Sequence, residues 1–336
     1  MDNIKCLDPF YNIIIGENGD CLFCCRANYF IGNIFEQSFE EIWYGKQATE
    51  FRKSILEKNF KYCDMSRCPS LGNYTFDVNN LGYPKMVLLN YNRACNCRCV
   101  MCRDKLIVED EKNLDFHKKF TDKIVEICKN AEIVYLNGVG ELFVSKHFQN
   151  LINILIETYP SIKFDISTNG VLCNEATLQK FNMLDRLHNV YFSVHAATKD
   201  TYEKIVRGGI FDEVVKNAKF IGFLKSVGMV NIFNFSFVIS SLNYQEMPKF
   251  VNLAKEVNAL PNFWRLGDFW DSDMCKNYKD YAVWDKDHKD YKKFLNVLKK
   301  LKNINGYKIE EPFLRALQAN QHDTWLDKVK KVFKFN

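Results

Sequence analysis

From residue 85 onward, short apolar runs alternate with longer stretches whose apolar residues recur at helical spacing. The short runs are Met86–Leu89, Ile133–Leu136, Ile162–Ser167, Val190–Val194, Asn231–Ile239 and Asn262–Leu266. Their lengths and β-branched or aromatic content predict strands. Between them, the pattern predicts helices near Phe116–Lys129, Lys146–Thr158, Glu175–Phe181, Phe211–Lys225 and Tyr244–Val257. Six strands alternating with helices predict an α/β fold, a parallel sheet covered by helices and closed or partly closed as a barrel.

The two ends of the chain break this rhythm. Residues 1–75 hold an apolar segment at Tyr11–Ile15, a turn signal at Gly19 and one expected helix over Ser38–Lys58. In that helix Ser38 and Glu41 form a capping-box pair. Asn79, Asn80, Gly82 and Pro84 read as a linker. Beyond residue 267, Tyr291, Phe294, Leu295, Leu298 and Leu301 predict one amphipathic helix; Trp325, Val329, Val332 and Phe333 predict another. The expected organisation is a cysteine-rich module over 1–80, the α/β region over 81–270 and a helical extension over 271–336.

Composition changes this picture at one point, the cysteines. With 336 residues, 47% hydrophobic, the chain can fill a large core, and a net charge of +5 is too small to argue for nucleic acid or an anionic membrane. No run is long and apolar enough for a membrane span, and the N-terminus has no signal-peptide pattern, so a cytoplasmic location is expected. Thirteen cysteines then call for metal binding or catalysis rather than disulfides. Six lie between Cys6 and Cys68, four between Cys95 and Cys102, and three in the rest of the chain. Such clustering points to two metal sites.

The second cluster reads Cys95-Asn96-Cys97-Arg98-Cys99-Val100-Met101-Cys102, shortly after the strand expected at Met86–Leu89. Cys95, Cys99 and Cys102 give the spacing C-x3-C-x2-C. Three thiolates on a four-iron cluster leave one iron open for a cofactor. Zinc held by four thiolates is the competing reading of the loop.

This run resembles the signature of the radical S-adenosylmethionine (SAM) superfamily. The resemblance implies a partial (β/α)6 barrel and a [4Fe-4S] cluster that binds SAM and cleaves it reductively to a deoxyadenosyl radical, which abstracts hydrogen. Cys97 departs from the usual apolar residue of that position. Four further motifs fall at successive strand ends in family order. Gly138, Gly140 and Glu141 resemble the GGE-type turn that receives the SAM amino group. Ser167 and Asn169, within Ser-Thr-Asn-Gly, resemble contacts to the ribose and sulfonium side. Ser193 and His195 follow, and Arg207 matches an arginine that binds the SAM carboxylate. Val238, Ile239 and Asn243 resemble adenine-side contacts, although Val-Ile in a strand is also ordinary core. Trp264, Arg265 and Asp268 close the sixth strand, as substrate contacts or as a structural ion pair.

Residues 6–70 resemble a SPASM or twitch module, which holds auxiliary iron–sulfur clusters. The resemblance rests on GENGDCLFCCR, on the Ser-x-x-Glu-Ile-Trp helix start and on the pair in YCDMSRC. It implies one auxiliary [4Fe-4S] cluster on Cys6, Cys24, Cys63 and Cys68, with Cys24 preferred to Cys25 and a structural zinc as the alternative. Most relatives carry this module after the barrel, whereas here it comes first.

The reaction stays open among epimerisation, dehydrogenation and cross-linking. Cys173 and Cys275 are candidate hydrogen donors, while Cys128 reads as core. The resemblance implies a peptide, protein or saccharide substrate and a flavodoxin- or ferredoxin-like electron donor. No segment reads as a separate leader-peptide-binding domain. From a different class, a non-catalytic zinc-stapled protein that binds RNA through its lysine-rich tail is the alternative.

Overall fold

The computed structural model describes residues 2–27, 29–65, 68, 71–136, 139–267, 272–301, 304 and 306–309. Two compact units emerge, neither of them contiguous in sequence. The first comprises Met1–Asn96, Ile107–Thr168 and Asn174–Val190; the second comprises Cys97–Leu106, Asn169–Cys173 and everything from Tyr191.

The first unit is built on a mixed sheet. Asn12–Gly16, Met86–Asn90, Ile133–Leu136 and Lys163–Thr168 run parallel in that order, with Ile13 opposite Val87, Val87 opposite Val134 and Val134 opposite Phe164. These four side chains are fully buried and form one layer of the core. Parallel strands covered on both faces are expected to be rich in such residues. Asp20–Leu22 and Gly32–Asn33 extend the sheet by antiparallel pairing, turned at Gly19, whose φ of 82° suits glycine. Hence the apolar segment of the N-terminal module is a strand of the main sheet rather than part of a detached domain.

A second ladder pairs Asp2–Ile4 with Tyr74–Phe76, and the Gly72 amide donates to the Lys5 carbonyl at 2.9 Å. The start and end of the module are thereby closed on each other. The expected helix over 38–58 is two helices, Phe39–Trp43 and Lys46–Leu56. They break at Gly45, where a Cβ would lie 1.9 Å from the Glu41 carbonyl oxygen. The capping box at Ser38 and Glu41 is formed as expected.

In the second unit, Ile232–Ile239 runs parallel to Leu260–Arg265, and Leu260–Arg265 to Lys308–Ile309. The core here is aromatic. Phe237 meets Phe250 at 4.8 Å and Phe263 at 5.4 Å between ring centroids, and Phe192 meets Phe233 edge-on at 5.1 Å. Helices Lys199–Ile205, Phe211–Ser226, Met247–Glu256 and Tyr291–Leu301 pack around it. Among the described residues, no helix is long and apolar enough to cross a membrane. The helix expected at Trp325–Phe333 lies outside the described residues, as do Gly138 and Asp268.

Candidate functional site

Within the first unit, Cys6, Cys24, Cys63 and Cys68 line one open cavity. Local structure delivers three of them. Cys6 precedes the short helix Asp8–Tyr11, and Cys24 follows strand Asp20–Leu22. The Cys63 amide closes a turn on the Phe60 carbonyl at 2.9 Å. The cavity wall is otherwise largely apolar, with Pro9, Ala27, Phe51, Phe60, Met65 and Leu71 around the sulfurs. Burial, helped by Asp8 and by the neighbouring thiols, pushes Cys6 up to about 12; burial, with Cys24 and Cys68, pushes Cys63 up to about 11.

Four thiols gather on one apolar-walled cavity, where burial makes Cys6 and Cys63 worse thiolates, so they need a cationic partner before they can all ionise. An iron–sulfur core meets that need, so the donor set fits the group. Among the described residues, no three His, Cys, Asp or Glu side chains converge on a single metal ion. A four-iron cube spreads its thiolates around a larger body than one ion does. Cys25 is exposed and absent from the cavity wall, and Cys21 is fully buried with its thiol toward the Gly19 carbonyl at 3.6 Å.

The cysteine loop passes from the first unit to the second between Asn96 and Cys97. Cys95, Cys99 and Cys102 are partly exposed, whereas Cys97 is only 1% exposed. The burial pattern thus separates the extra cysteine from the C-x3-C-x2-C set. On the first-unit side, the Cys95 amide donates to the Ile107 carbonyl at 2.8 Å, and the Ala94 amide to the Asn92 side chain at 2.9 Å. Glu141 is buried; its amide donates to the Ala94 carbonyl at 2.7 Å, and its carboxylate accepts from the Thr168 hydroxyl at 2.8 and 2.9 Å. Gly140 lies so close to the loop that a Cβ would be 2.2 Å from the Ala94 oxygen. That close approach explains glycine before Glu141. The Ser167 hydroxyl meets the Tyr135 hydroxyl at 2.9 Å.

On the second-unit side, Cys99 pairs with Val206 and Arg98 with Arg207 in a short antiparallel ladder. The Val100 amide adds a bond to Ile205 at 2.9 Å, and Cys102 closes a turn onto the Cys99 carbonyl at 2.9 Å. Exposed Arg207 is therefore held beside two loop cysteines in sequence. Asn169 accepts from the Val171 amide at 3.0 Å, and Gly170 has φ of 80° with a Phe192 ring where a Cβ would go.

His195 has φ of 64°, unusual for a non-glycine residue, and is buried. Its Nδ1 accepts from the Val238 amide at 3.1 Å, which places the proton of the neutral ring on Nε2; Asn243 donates to its carbonyl at 2.8 Å. Burial drives its pKa down to about 4. Ile239 is core, Val238 is half-buried, and Ser193 is half-buried at the strand end. Cys173 and Cys128 are fully buried. Cys275, 4% exposed, donates its thiol to the Met101 and Gly267 carbonyls at 3.2 Å each.

A buried polar cluster escaped the sequence reading. Glu109 accepts from Asn92 Nδ2 at 2.9 Å, Ser145 Oγ at 2.9 Å and the Lys146 amide at 2.7 Å, with His117 Nδ1 at 3.9 Å. Burial alone would raise this carboxyl, but His117, Asn92, Ser145 and the Lys146 amide outweigh it and hold it down at about 2. The signals available were faint: Asn92 stands three residues before Cys95, and Glu109 sits in the run Glu109-Asp110-Glu111, which reads as an acidic helix start.

A parallel α/β sheet with a C-x3-C-x2-C loop after one strand, plus a separate four-cysteine cavity, defines an iron–sulfur protein. Residues 89–254 match the family model of the radical SAM superfamily, and residues 6–69 match SPASM, an iron–sulfur cluster-binding domain. The chain belongs to the radical SAM superfamily of enzymes and carries its SPASM domain first. These domains imply a SAM-binding [4Fe-4S] cluster and auxiliary iron–sulfur binding. Among curated relatives, the chain is 27% identical over 189 residues to a "Probable GTP 3',8-cyclase" of Saccharolobus solfataricus, covering 54% of this chain and 57% of that one. It is 26% identical over 179 residues to the "Tungsten-containing aldehyde ferredoxin oxidoreductase cofactor-modifying protein" of Pyrococcus furiosus, covering 49% and 46%. The chain thus spans about half the length of the curated relatives it matches. A solved structure described as native anSMEcpe with bound AdoMet aligns with TM-score 0.40 at 18% identity over 67% of this chain and 64% of that one.

Proposed function

We propose that this protein cleaves SAM at a [4Fe-4S] cluster on Cys95, Cys99 and Cys102 and uses the radical to take hydrogen from a peptide, protein or carbohydrate. When bound, the cluster supplies the electron that splits the sulfonium bond. The chain's own residues would place the cofactor: Gly140 and Glu141 at its amino group, Arg207 at its carboxylate, Ser167 and Asn169 at the ribose side. Ser193, His195, Val238 and Ile239 would complete the nucleoside side, with the His195 Nε2 proton free to donate while the ring stays neutral. Cys6, Cys24, Cys63 and Cys68 would hold the auxiliary cluster.

The observation that carries this reading is the gathering of those four cysteines on one cavity, in a chain whose next region matches the radical SAM superfamily. Cys275 is the better candidate for returning a hydrogen atom, because its thiol already hydrogen-bonds the loop carbonyl of Met101; Cys173 is the second. A nucleoside triphosphate is the second substrate reading, favoured by the curated relatives named for GTP.

Anaerobic reconstitution tests the proposal. Wild type should bind about eight irons and a Cys95/Cys99/Cys102→Ala variant about four, with deoxyadenosine formed from SAM and a reduced flavodoxin only by the former. Peptide, saccharide and GTP arms then rank substrates by stimulation of deoxyadenosine release. Zinc in place of iron, with no deoxyadenosine from wild type, would sink the reading in favour of a zinc-stapled protein.

A further inference from the structure

Both arms of the cysteine loop are clasped together in the first unit, and the clasp continues into the turn that carries Glu141. Asn92 and Cys95 lie on the entering arm; Ile107 and Glu109 lie on the leaving arm. The Cys95 amide donates to Ile107 at 2.8 Å, and Asn92 Nδ2 donates to Glu109 Oε1 at 2.9 Å. From Glu109 the bonds run on to Ser145 Oγ and the Lys146 amide, just beyond the 3-10 turn Leu142–Val144 that follows Glu141. Asn92 Nδ2 also reaches Ser145 Oγ at 2.8 Å. The circuit closes through Asn92 Oδ1, which accepts the Ala94 amide, and the Ala94 carbonyl, which accepts the Glu141 amide at 2.7 Å.

We propose that Glu109 is a positioning residue that fixes the distance and orientation between the cysteine-loop arms and the Gly140-Glu141 turn, and so sets the affinity for SAM. The inference rests on the reading of that turn as the methionine end of a SAM site. Its physical basis is the donor set around the carboxylate. Glu109 is 6% exposed at its side chain and accepts three hydrogen bonds from two segments, one from Asn92 and two from the Ser145-Lys146 helix start. A charged acceptor makes each of these shorter and stronger than a neutral one would. A buried network with every member satisfied rigidifies its surroundings, and one lost member leaves the others unpaired. Ser145 also caps helix Lys146–Thr158 through the Phe148 amide at 3.0 Å, so the network is anchored on the start of that helix.

Neither Glu109 nor Ser145 is proposed as a ligand to iron or a group on SAM, so loss of either should read as weaker cofactor binding with both clusters kept. In Glu109→Gln, one carboxylate oxygen becomes an amide that faces donors. Removing one charged hydrogen bond should weaken SAM about tenfold. Ser145→Ala should act in the same direction, and Ser145→Thr, which restores the hydroxyl, should regain affinity. The measurement is iron content of the reconstituted full chain, the dissociation constant of SAM by equilibrium titration, and deoxyadenosine formation at saturating SAM. Support is a raised dissociation constant at unchanged iron with a turnover rate close to wild type. An unchanged constant in both Glu109→Gln and Ser145→Ala overturns the proposal. So does a folded variant that loses loop iron, which would make Glu109 a guardian of cluster retention instead. Wild type that takes up iron but fails to bind SAM overturns the reading of the Gly140-Glu141 turn, and this inference with it.

Discussion

Ile13 of the N-terminal module lies opposite Val87 of the first strand after the linker, in a parallel ladder, and both side chains are fully buried. The SPASM region is therefore stitched into the sheet from which the cysteine loop springs. Ile13→Ala should cost about 2–5 kcal/mol through lost burial and the cavity left behind. Urea unfolding monitored by circular dichroism should show one lowered midpoint for the sheet. Two separate transitions, with only the smaller one moved, would show the module to be independent.

The four-cysteine cavity makes a prediction that separates neighbours in sequence. Cys24→Ala should lower bound iron by about four atoms, while Cys25→Ala, outside the cavity wall, should leave iron unchanged. Cys21→Ala and Cys97→Ala should keep iron and lower stability, since both thiols are core. Iron and sulfide analysis of the four variants checks this, and equal loss in Cys24→Ala and Cys25→Ala would refute the assignment.

Gly140 tests the contact between loop and turn. An alanine there would press its Cβ to 2.2 Å from the Ala94 oxygen, a backbone atom that cannot swing aside. Gly140→Ala should thus cut deoxyadenosine formation at least about tenfold, a loss of roughly 1.4 kcal/mol in transition-state binding. The iron of the four-cysteine cavity should remain. Wild-type activity in this variant would mean that the loop yields freely.

The strands of the parallel region were legible because their cores repeat short apolar runs; Ile133–Leu136 was placed to the residue. The helix break at Gly45 was hidden, since the apolar spacing continues across it from Trp43 to Phe51, and the only mark of it is a glycine whose backbone turns extended in close approach to the Glu41 carbonyl, where no side chain would fit. That Asn12–Gly16 joins the main sheet could not be read from its own residues, because strand pairing is a property of two segments. The cysteines stood out by spacing and clustering, and the structure gathers Cys6, Cys24, Cys63 and Cys68 on one cavity. Glu109, Asn92 and Ser145 did not, because hydrogen-bonded polar residues carry no periodic signature.

His195 supplies a pH test whose sign follows from its burial. Its pKa is about 4 in the folded chain against 6.5 when exposed, so the unfolded chain binds the extra proton first as pH falls. Stability from the neutral, buried ring is complete above about 6.5 and declines as pH drops through the window down to about 4. The shift corresponds to about 3 kcal/mol at most, by the usual conversion of a pKa difference into free energy. His147, also held near 4 by burial and by His117, adds a slope of the same sign over the same window. His195→Asn removes one titration and keeps a residue type that tolerates the left-handed backbone. Urea midpoints between pH 4 and 7 should therefore fall less steeply in His195→Asn than in wild type. Parallel slopes would place the titrating group elsewhere, and a steeper slope in the variant would contradict the neutral form of the ring.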